Sequence, residues 1–118
     1  MGVFTYPIAI GASPAGPFVE LEAYVDSGAF YTQAPASVLG QLGVQSDDKA
    51  TFVTADGRRI ESDLGTVRIR IDGRENWTIC IFAEEGTPAL LGAYALEAFL
   101  LGVDPVNKRL IRVEGVRL

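Results

Sequence analysis

Residues 23–32 read AYVDSGAFYT, an apolar run that delivers an aspartate, a hydroxyl residue and a glycine into a turn. A charged carboxylate is costly in apolar surroundings unless it is paired or hydrogen-bonded. Asp26 is therefore either fixed in a local turn or held in place for chemistry. Taken alone, the triplet Asp26-Ser27-Gly28 favours the turn, because Asp and Ser side chains bond nearby backbone amides and glycine accepts positive φ.

Length and composition indicate one folded domain spanning residues 1–118, with 48% hydrophobic residues available for a core. The net charge of −5, with scattered lysines and arginines, argues against nucleic acid as a partner. No apolar run approaches the roughly 20 residues that span a bilayer, and the N-terminus lacks a signal-peptide pattern. The sequence thus predicts a cytoplasmic protein that does not enter membranes.

The chain contains no histidine and a single cysteine, Cys80. This excludes Ser-His and Cys-His nucleophile systems, histidine general bases and histidine-ligated zinc, so any catalysis must use carboxylates, lysine or tyrosine. Cys80 stands in a strand-like run and is predicted to be a buried structural thiol. The acidic pairs Asp47-Asp48 and Glu84-Glu85 are interpreted as solvated loop charges, and neither a metal nor a cofactor is expected.

Proline and glycine divide the chain into short segments, which predicts a mainly β fold with two short helices. Asp56-Gly57 and Asp72-Gly73 are typical two-residue hairpin turns, and regular strand spacing favours a closed barrel or a sandwich. Strands are predicted at 4–10, 18–25, 51–55, 58–63, 66–71, 77–82 and 89–92, helices at 35–42 and 93–101, and a last hairpin around 104–107.

This order of elements resembles the retropepsin-like aspartic peptidases over roughly residues 18–103. The family carries its catalytic carboxylate in an Asp-Thr/Ser-Gly-Ala loop, and residues 26–29 here read Asp-Ser-Gly-Ala. Leu90-Leu91-Gly92 followed by a helix is similar to the family's paired-hydrophobic-plus-glycine signature. Residues 103–110 look more like bacterial and cellular members than like retroviral proteases.

The resemblance implies a closed β-barrel of the acid-protease type, with one lobe per chain. It assigns catalysis to Asp26 with Ser27 and Gly28, and places a substrate-covering flap on the hairpin 52–62. The substrate-binding residues that it implies are Ala29, Thr54, Ala55, Asp56, Gly57 and Arg58, and the residues that support the site are Thr32, Leu90, Leu91 and Gly92.

Two positions depart from the retroviral pattern. Viral members often pair an acidic residue at the position of Phe30 with an arginine at the position of Ala93. Both partners are replaced together in this chain, so no unpaired buried charge results. Support near the site is therefore expected to be apolar, and viral rules for substrate choice do not transfer.

An aspartic peptidase needs two carboxylates that share a proton, one acting as base and the other as acid on the attacking water. This chain carries one Asp-Ser-Gly, and its other aspartates lie in polar or turn contexts. A two-fold homodimer supplies the second carboxylate, because a residue near the axis meets its own copy. The sequence predicts a homodimeric aspartic endopeptidase that hydrolyses peptide or protein substrates.

Two alternatives stay open. One is a noncatalytic dimer of the same fold that binds extended peptides. The other is a small β-barrel that binds an apolar ligand as a monomer, with Asp26 serving only as a turn residue. Oligomeric state and peptide cleavage discriminate among the three.

Overall fold

The computed structural model describes residues 4–117, so both ends of the predicted domain 1–118 lie outside the described part. Residues 4–117 form nine strands and two short helices. In chain order these are β1 (Thr5–Gly11), β2 (Phe18–Val25), β3 (Thr32–Pro35), α1 (Ala36–Leu42), β4 (Asp48–Val53), β5 (Arg59–Ile71), β6 (Arg74–Ala83), β7 (Leu90–Leu91), α2 (Ala93–Ala98), β8 (Leu101–Asp104) and β9 (Arg109–Arg112).

Seven of these strands form one sheet in the order β1-β2-β7-β3-β6-β5-β4. Strand β1 also pairs with β5, so six strands make a ring of pairings from which β4 projects at the side. Strands β8 and β9 form a separate two-stranded sheet. The prediction of a mainly β fold with two short helices is confirmed. Within residues 4–117, neither helix is long and apolar enough to cross a membrane.

The core is formed by buried residues of the strands together with Ala95 and Leu96 of α2. Ile10, Val67, Ile69 and Leu91 are fully buried, and Phe99, just after α2, packs with them. In residues 18–25, positions 19, 21, 23 and 25 are apolar and alternate with the other four, which predicts that they face the core. Ala23 and Val25 of this set are buried in β2. Cys80 is buried, also as predicted, and this burial raises the pKa of its thiol to about 12.

Several predicted boundaries are confirmed. Strand β2 spans the predicted residues 18–25, and the Asp72-Gly73 hairpin joins Ile71 directly to its partner Arg74. Helix α1 follows Pro35 and ends at Gly43, whose φ of 82° is the left-handed conformation that glycine accepts without strain.

Other boundaries were wrong. Segments 58–63 and 66–71 are one continuous strand, because β6 and β4 together pair along its length. The flap turn is not the predicted two-residue loop: Val53 pairs with Arg59, which leaves five residues between the strands. Helix α2 ends at Ala98 rather than near Gly102, because Leu100 turns to a φ of 53° and Leu101 begins β8.

Candidate active site

The loop that follows β2, residues 26–29, is held by backbone and side-chain hydrogen bonds; we call it the Asp26 loop. The Asp26 N–H donates to the Leu91 carbonyl at 3.0 Å, which fixes where the loop leaves the sheet. The Gly28 N–H donates to Asp26 Oδ1 at 3.0 Å, and the Ala29 N–H donates to the Asp26 carbonyl at 3.2 Å. The carboxylate is thereby oriented at a partly exposed position of a tight turn.

Strand β7 and the start of α2 hold the Asp26 loop through strand pairing and hydrogen bonds. Strand β7 runs parallel to the end of β2, with Val25 opposite Leu91. The Gly92 N–H donates to Thr32 Oγ1 at 3.2 Å in a fully buried position. The next amide, that of Ala93, donates to the Ala29 carbonyl at 2.8 Å.

Gly92 has no room for a side chain. A Cβ at this position would lie 2.6 Å from the carbonyl carbon of Tyr31 and 2.7 Å from its oxygen. Backbone meets backbone here, so the glycine allows β7 to approach the segment that follows the Asp26 loop. Thr32, Leu90, Leu91 and Gly92, all predicted to support the site, therefore form one cluster with residues 26–29.

A cleft of about 540 Å³ opens beside the Asp26 loop. We call it the aromatic cleft. Its lining consists of two loop residues, three aromatic rings and two further residues of α2: Ser27, Gly28, Phe30, Tyr31, Tyr94, Ala93 and Glu97. Phe30 is 77% exposed and Tyr94 48% exposed, so both side chains are accessible to solvent.

Tyr31 links the aromatic cleft to the flap hairpin formed by β4 and β5. Its ring meets Tyr94 edge-on, with 5.8 Å between ring centroids, and meets Phe52 of β4 in the same manner at 6.1 Å. Such edge-to-face pairs are favourable arrangements of aromatic rings. The hairpin base is thus packed against the wall of the site.

The flap tip, residues 54–58, is shaped by bonds among its own members. The Thr54 N–H donates to the Arg58 carbonyl at 2.8 Å, and the Gly57 N–H donates to the Thr54 carbonyl at 2.9 Å. The Thr54 hydroxyl donates to the Asp56 carboxylate, and Arg58 Nε lies 3.0 Å from Asp56 Oδ2. The Thr54 hydroxyl and, after it, the Arg58 amide and guanidinium hold the pKa of Asp56 below its usual value.

The predicted site residues fall into two groups. Residues 26–29, Thr32 and residues 90–92 lie together, whereas the flap tip is a separate exposed loop joined to them through Phe52 and Tyr31. The predicted site set omitted five residues that line the cleft: Phe30, Tyr31, Ala93, Tyr94 and Glu97. Helical spacing could have identified the three lining residues of α2. Residue 97 follows residues 94 and 93 by three and four positions, so the three share one face of a helix.

Within residues 4–117, no three histidine, cysteine, aspartate or glutamate side chains are grouped so that they could hold a metal ion. In each of the acidic pairs Asp47-Asp48 and Glu84-Glu85, one carboxylate accepts hydrogen bonds from the protein. Glu85 accepts hydrogen bonds from the Ser37 amide and hydroxyl, and Asp48 accepts from the Lys49 amide. The reactive groups of the Asp26 loop itself are the Asp26 carboxylate and the Ser27 hydroxyl.

No protein-family model matches the chain, and no curated protein matches it by sequence. Solved structures do match. The EIAV protease, complexed with the inhibitor HBY-793, is 17% identical with a TM-score of 0.58, covering 91% of this chain and 90% of that one. The retroviral protease-like domain of Ddi1 from Leishmania major is 14% identical with a TM-score of 0.56, covering 92% and 88%.

A retropepsin-like aspartic protease from Rickettsia conorii is 21% identical with a TM-score of 0.51, covering 85% of this chain and 84% of that one. The structural neighbours are thus retroviral and retropepsin-like proteases, of viral and cellular origin alike. At these identities the likeness concerns the fold. The chain has the fold of the retropepsin-like proteases, as its motifs predicted.

Proposed function

We propose that this protein is an aspartic endopeptidase that works as a homodimer, with one Asp26 carboxylate from each chain. The observation that carries the proposal is the Asp26 loop itself. An Asp-Ser-Gly-Ala turn stands at the end of a core strand, in a fold that this chain shares with proteases. An open cleft lies directly beside it.

In the proposed reaction the two Asp26 carboxyl groups share one proton. The ionised one takes a proton from a water molecule, which attacks the peptide carbonyl, and the protonated one donates to the carbonyl oxygen. Ser27 would bond across the two loops through its hydroxyl, and Gly28 would let the substrate backbone come close. Ala29 and the flap tip, with Thr54, Ala55, Asp56, Gly57 and Arg58, would bind the extended substrate from two sides.

The single Asp-Ser-Gly of the chain supports a partner chain. A symmetric dimer would bring the two Asp26 loops together, as one catalytic aspartate per chain demands. We further propose that the ring of pairings closed by β1 and β5 is a barrel of the acid-protease type, one lobe per chain.

A mixing experiment tests the proposal. Wild-type chain and Asp26→Asn chain are combined in equal amounts under exchange conditions, and cleavage of a mixed peptide library is followed between pH 4 and 7. Only the wild-type pair would carry two carboxylates, so activity should fall to about one quarter of that of the same total amount of wild type. A monomeric enzyme would retain about half.

Sedimentation of the wild type supplies the second measurement, and a dimer is expected at micromolar concentration. Cleavage that a metal chelator abolishes would contradict the aspartic mechanism. A dimer that binds peptides without cutting any of them would identify the noncatalytic peptide-binding alternative, and a monomer that binds only apolar ligands would identify the other.

A further inference from the structure

The aromatic cleft combines exposed aromatic side chains with one carboxylate. Among the described residues that line it, Glu97 is the single ionisable group besides the tyrosine hydroxyls, and it is exposed. Within residues 4–117 the ion pairs join other residues, and none places a lysine or arginine nitrogen within 4.0 Å of Glu97. The cleft therefore presents a negative charge that this part of the chain does not neutralise.

Such a lining suits a cation. A guanidinium or ammonium group over an aromatic face is attracted by the negative potential of the ring. A guanidinium can stack on a ring and at the same time direct its N–H edge at a carboxylate, which a compact ammonium does less well. Phe30 and Tyr94 offer exposed aromatic rings, and Glu97 offers the carboxylate.

The cleft is also placed where a substrate side chain would reach it. Ser27 and Gly28 line it, so a peptide whose backbone crosses the Asp26 loop passes along its edge. We propose that the aromatic cleft binds a basic side chain of the peptide substrate, arginine in preference to lysine, through Glu97 and the rings of Phe30 and Tyr94. This inference rests on the proposed function, whose substrate class it names.

The charge of the chain is consistent with this choice. The protein carries a net charge of −5, so its overall field favours the approach of basic peptides. An apolar substrate side chain would leave Glu97 facing a hydrophobic group, whereas a basic side chain neutralises it at little desolvation cost in this open cleft. Residue 97 is thereby expected to determine specificity without taking part in the bond cleavage.

The test separates binding from cleavage. Fluorescent octapeptide mixtures are prepared with one position fixed as arginine, citrulline, leucine or glutamate and the other positions random, and the fixed position is moved along the peptide. Binding to the Asp26→Asn protein is measured by anisotropy, and cleavage is measured separately with the wild type. At one position, arginine should bind about fivefold to tenfold more tightly than its neutral isostere citrulline.

Three variants sharpen the result. Glu97→Gln should abolish the preference for arginine over citrulline, and Glu97→Lys should reverse it in favour of the glutamate peptides. Glu20→Gln is the matched control, because Glu20 is exposed on β2 and does not line the cleft, and it should leave the preference unchanged.

The outcomes distinguish the two proposals. Arginine preference in binding without any cleavage would uphold the cleft and overturn the peptidase. Cleavage with no arginine preference, or a preference that Glu97→Lys does not move, would overturn the cleft and leave the peptidase standing. If the Glu97 variants change the dimer dissociation constant but not peptide preference, the cleft is covered by a second copy of the chain and the proposal is wrong. The absence of peptide binding at every position would also overturn it.

Discussion

The Asp26 loop and the flap tip are both short turns built around an aspartate, yet they are held in opposite ways. The Asp26 loop is tied to residues sixty or more positions away, through the bond to Leu91 and the buried Thr32–Gly92 bond behind it. The flap tip is tied to itself, by exposed bonds among Thr54, Asp56 and Arg58.

The difference follows from where each turn's bonds lie. Buried long-range bonds break only when the core opens, whereas exposed local bonds exchange readily with water and define regions of low local stability. The proposed chemical group is therefore placed by the core, and the proposed cover is free to change shape without disturbing it. Each prediction below breaks one side of this contrast.

The largest effect is expected for Asp26→Asn. Loss of the shared general acid and base should lower kcat/KM for peptide cleavage by about 10²–10⁴-fold. The fold and the dimer should remain, because the amide is nearly isosteric and removing one charge from a close like-charged pair relieves repulsion. Steady-state kinetics with parallel thermal melts measure both, and a variant that cleaves at the wild-type rate would show that Asp26 is not catalytic.

The pH profile should be bell-shaped with an optimum below neutrality. Two Asp26 carboxyls that share one proton titrate with two separated apparent pKa values that belong to the pair. Below the lower value both are protonated and no base remains, and above the upper value both are charged and no acid remains. Activity should fall about tenfold per pH unit on each limb, and circular dichroism over the same range separates this from unfolding. Cleavage that rises steadily to pH 9 would contradict the shared proton.

Local sequence patterns carried much of the fold. Strand β2 could be bounded from its period-two alternation, and the hairpin after β5 from Asp72-Gly73. Strand β3 could not be identified in this way, because polar and apolar residues do not alternate in its sequence, Thr32–Pro35. Its pairing depends on β6 and Leu90, which lie more than forty positions away. The end of α2 was misplaced for the same reason, since Leu101 leaves the helix to pair with Arg112.

The candidate site shows the same division between residues that a local pattern identifies and residues that only distant contacts bring together. A contiguous motif identifies residues 26–29 and 90–92, because each run is short and chemically distinctive. The aromatic cleft joins Phe30 and Tyr31 to Glu97 on a different element, so its lining exists only after α2 packs against the loop. Sequence alone can mark the face of α2 that carries Glu97, but not what that face meets.

Gly92→Ala should destabilise the protein strongly, by about 3 kcal/mol, because the new methyl group would collide with the Tyr31 backbone at 2.6–2.7 Å. Gly57→Ala in the flap tip is the matched control. Its φ of 87° strains an alanine, but within residues 4–117 no atom beyond the neighbouring residues lies within 4 Å of the new methyl, so about 1 kcal/mol is expected. Urea unfolding of both variants gives the comparison, and equal losses would show that the two turns are held alike.

Thr32→Val should cost about 2 kcal/mol, because it keeps the shape of the side chain but leaves the buried Gly92 N–H without its acceptor. Thr32→Ser retains the hydroxyl and loses one methyl group, so it should restore the bond but leave a small cavity. If serine is tolerated better than valine, the hydrogen bond matters more than the packing at this position. Chemical unfolding and peptide cleavage are measured together, and activity should follow stability in this pair.

The smallest effect is expected for Asp56→Asn, the same substitution as at Asp26 but placed in the flap tip. The amide oxygen can still accept from the Thr54 hydroxyl, and what is lost is the charge facing Arg58.

Because the folded chain lowers the pKa of Asp56, its charged form contributes stability above the unfolded pKa of about 3.9, and this contribution is lost as the pH falls through the lowered value. Tm should therefore drop by less than about 3 °C at pH 7, and the difference from wild type should shrink as the pH falls below about 3.9. KM should rise about threefold with kcat nearly unchanged, since the tip is proposed to hold substrate rather than to react. A Tm loss of 10 °C or more would show that the flap tip belongs to the same cooperative unit as the Asp26 loop.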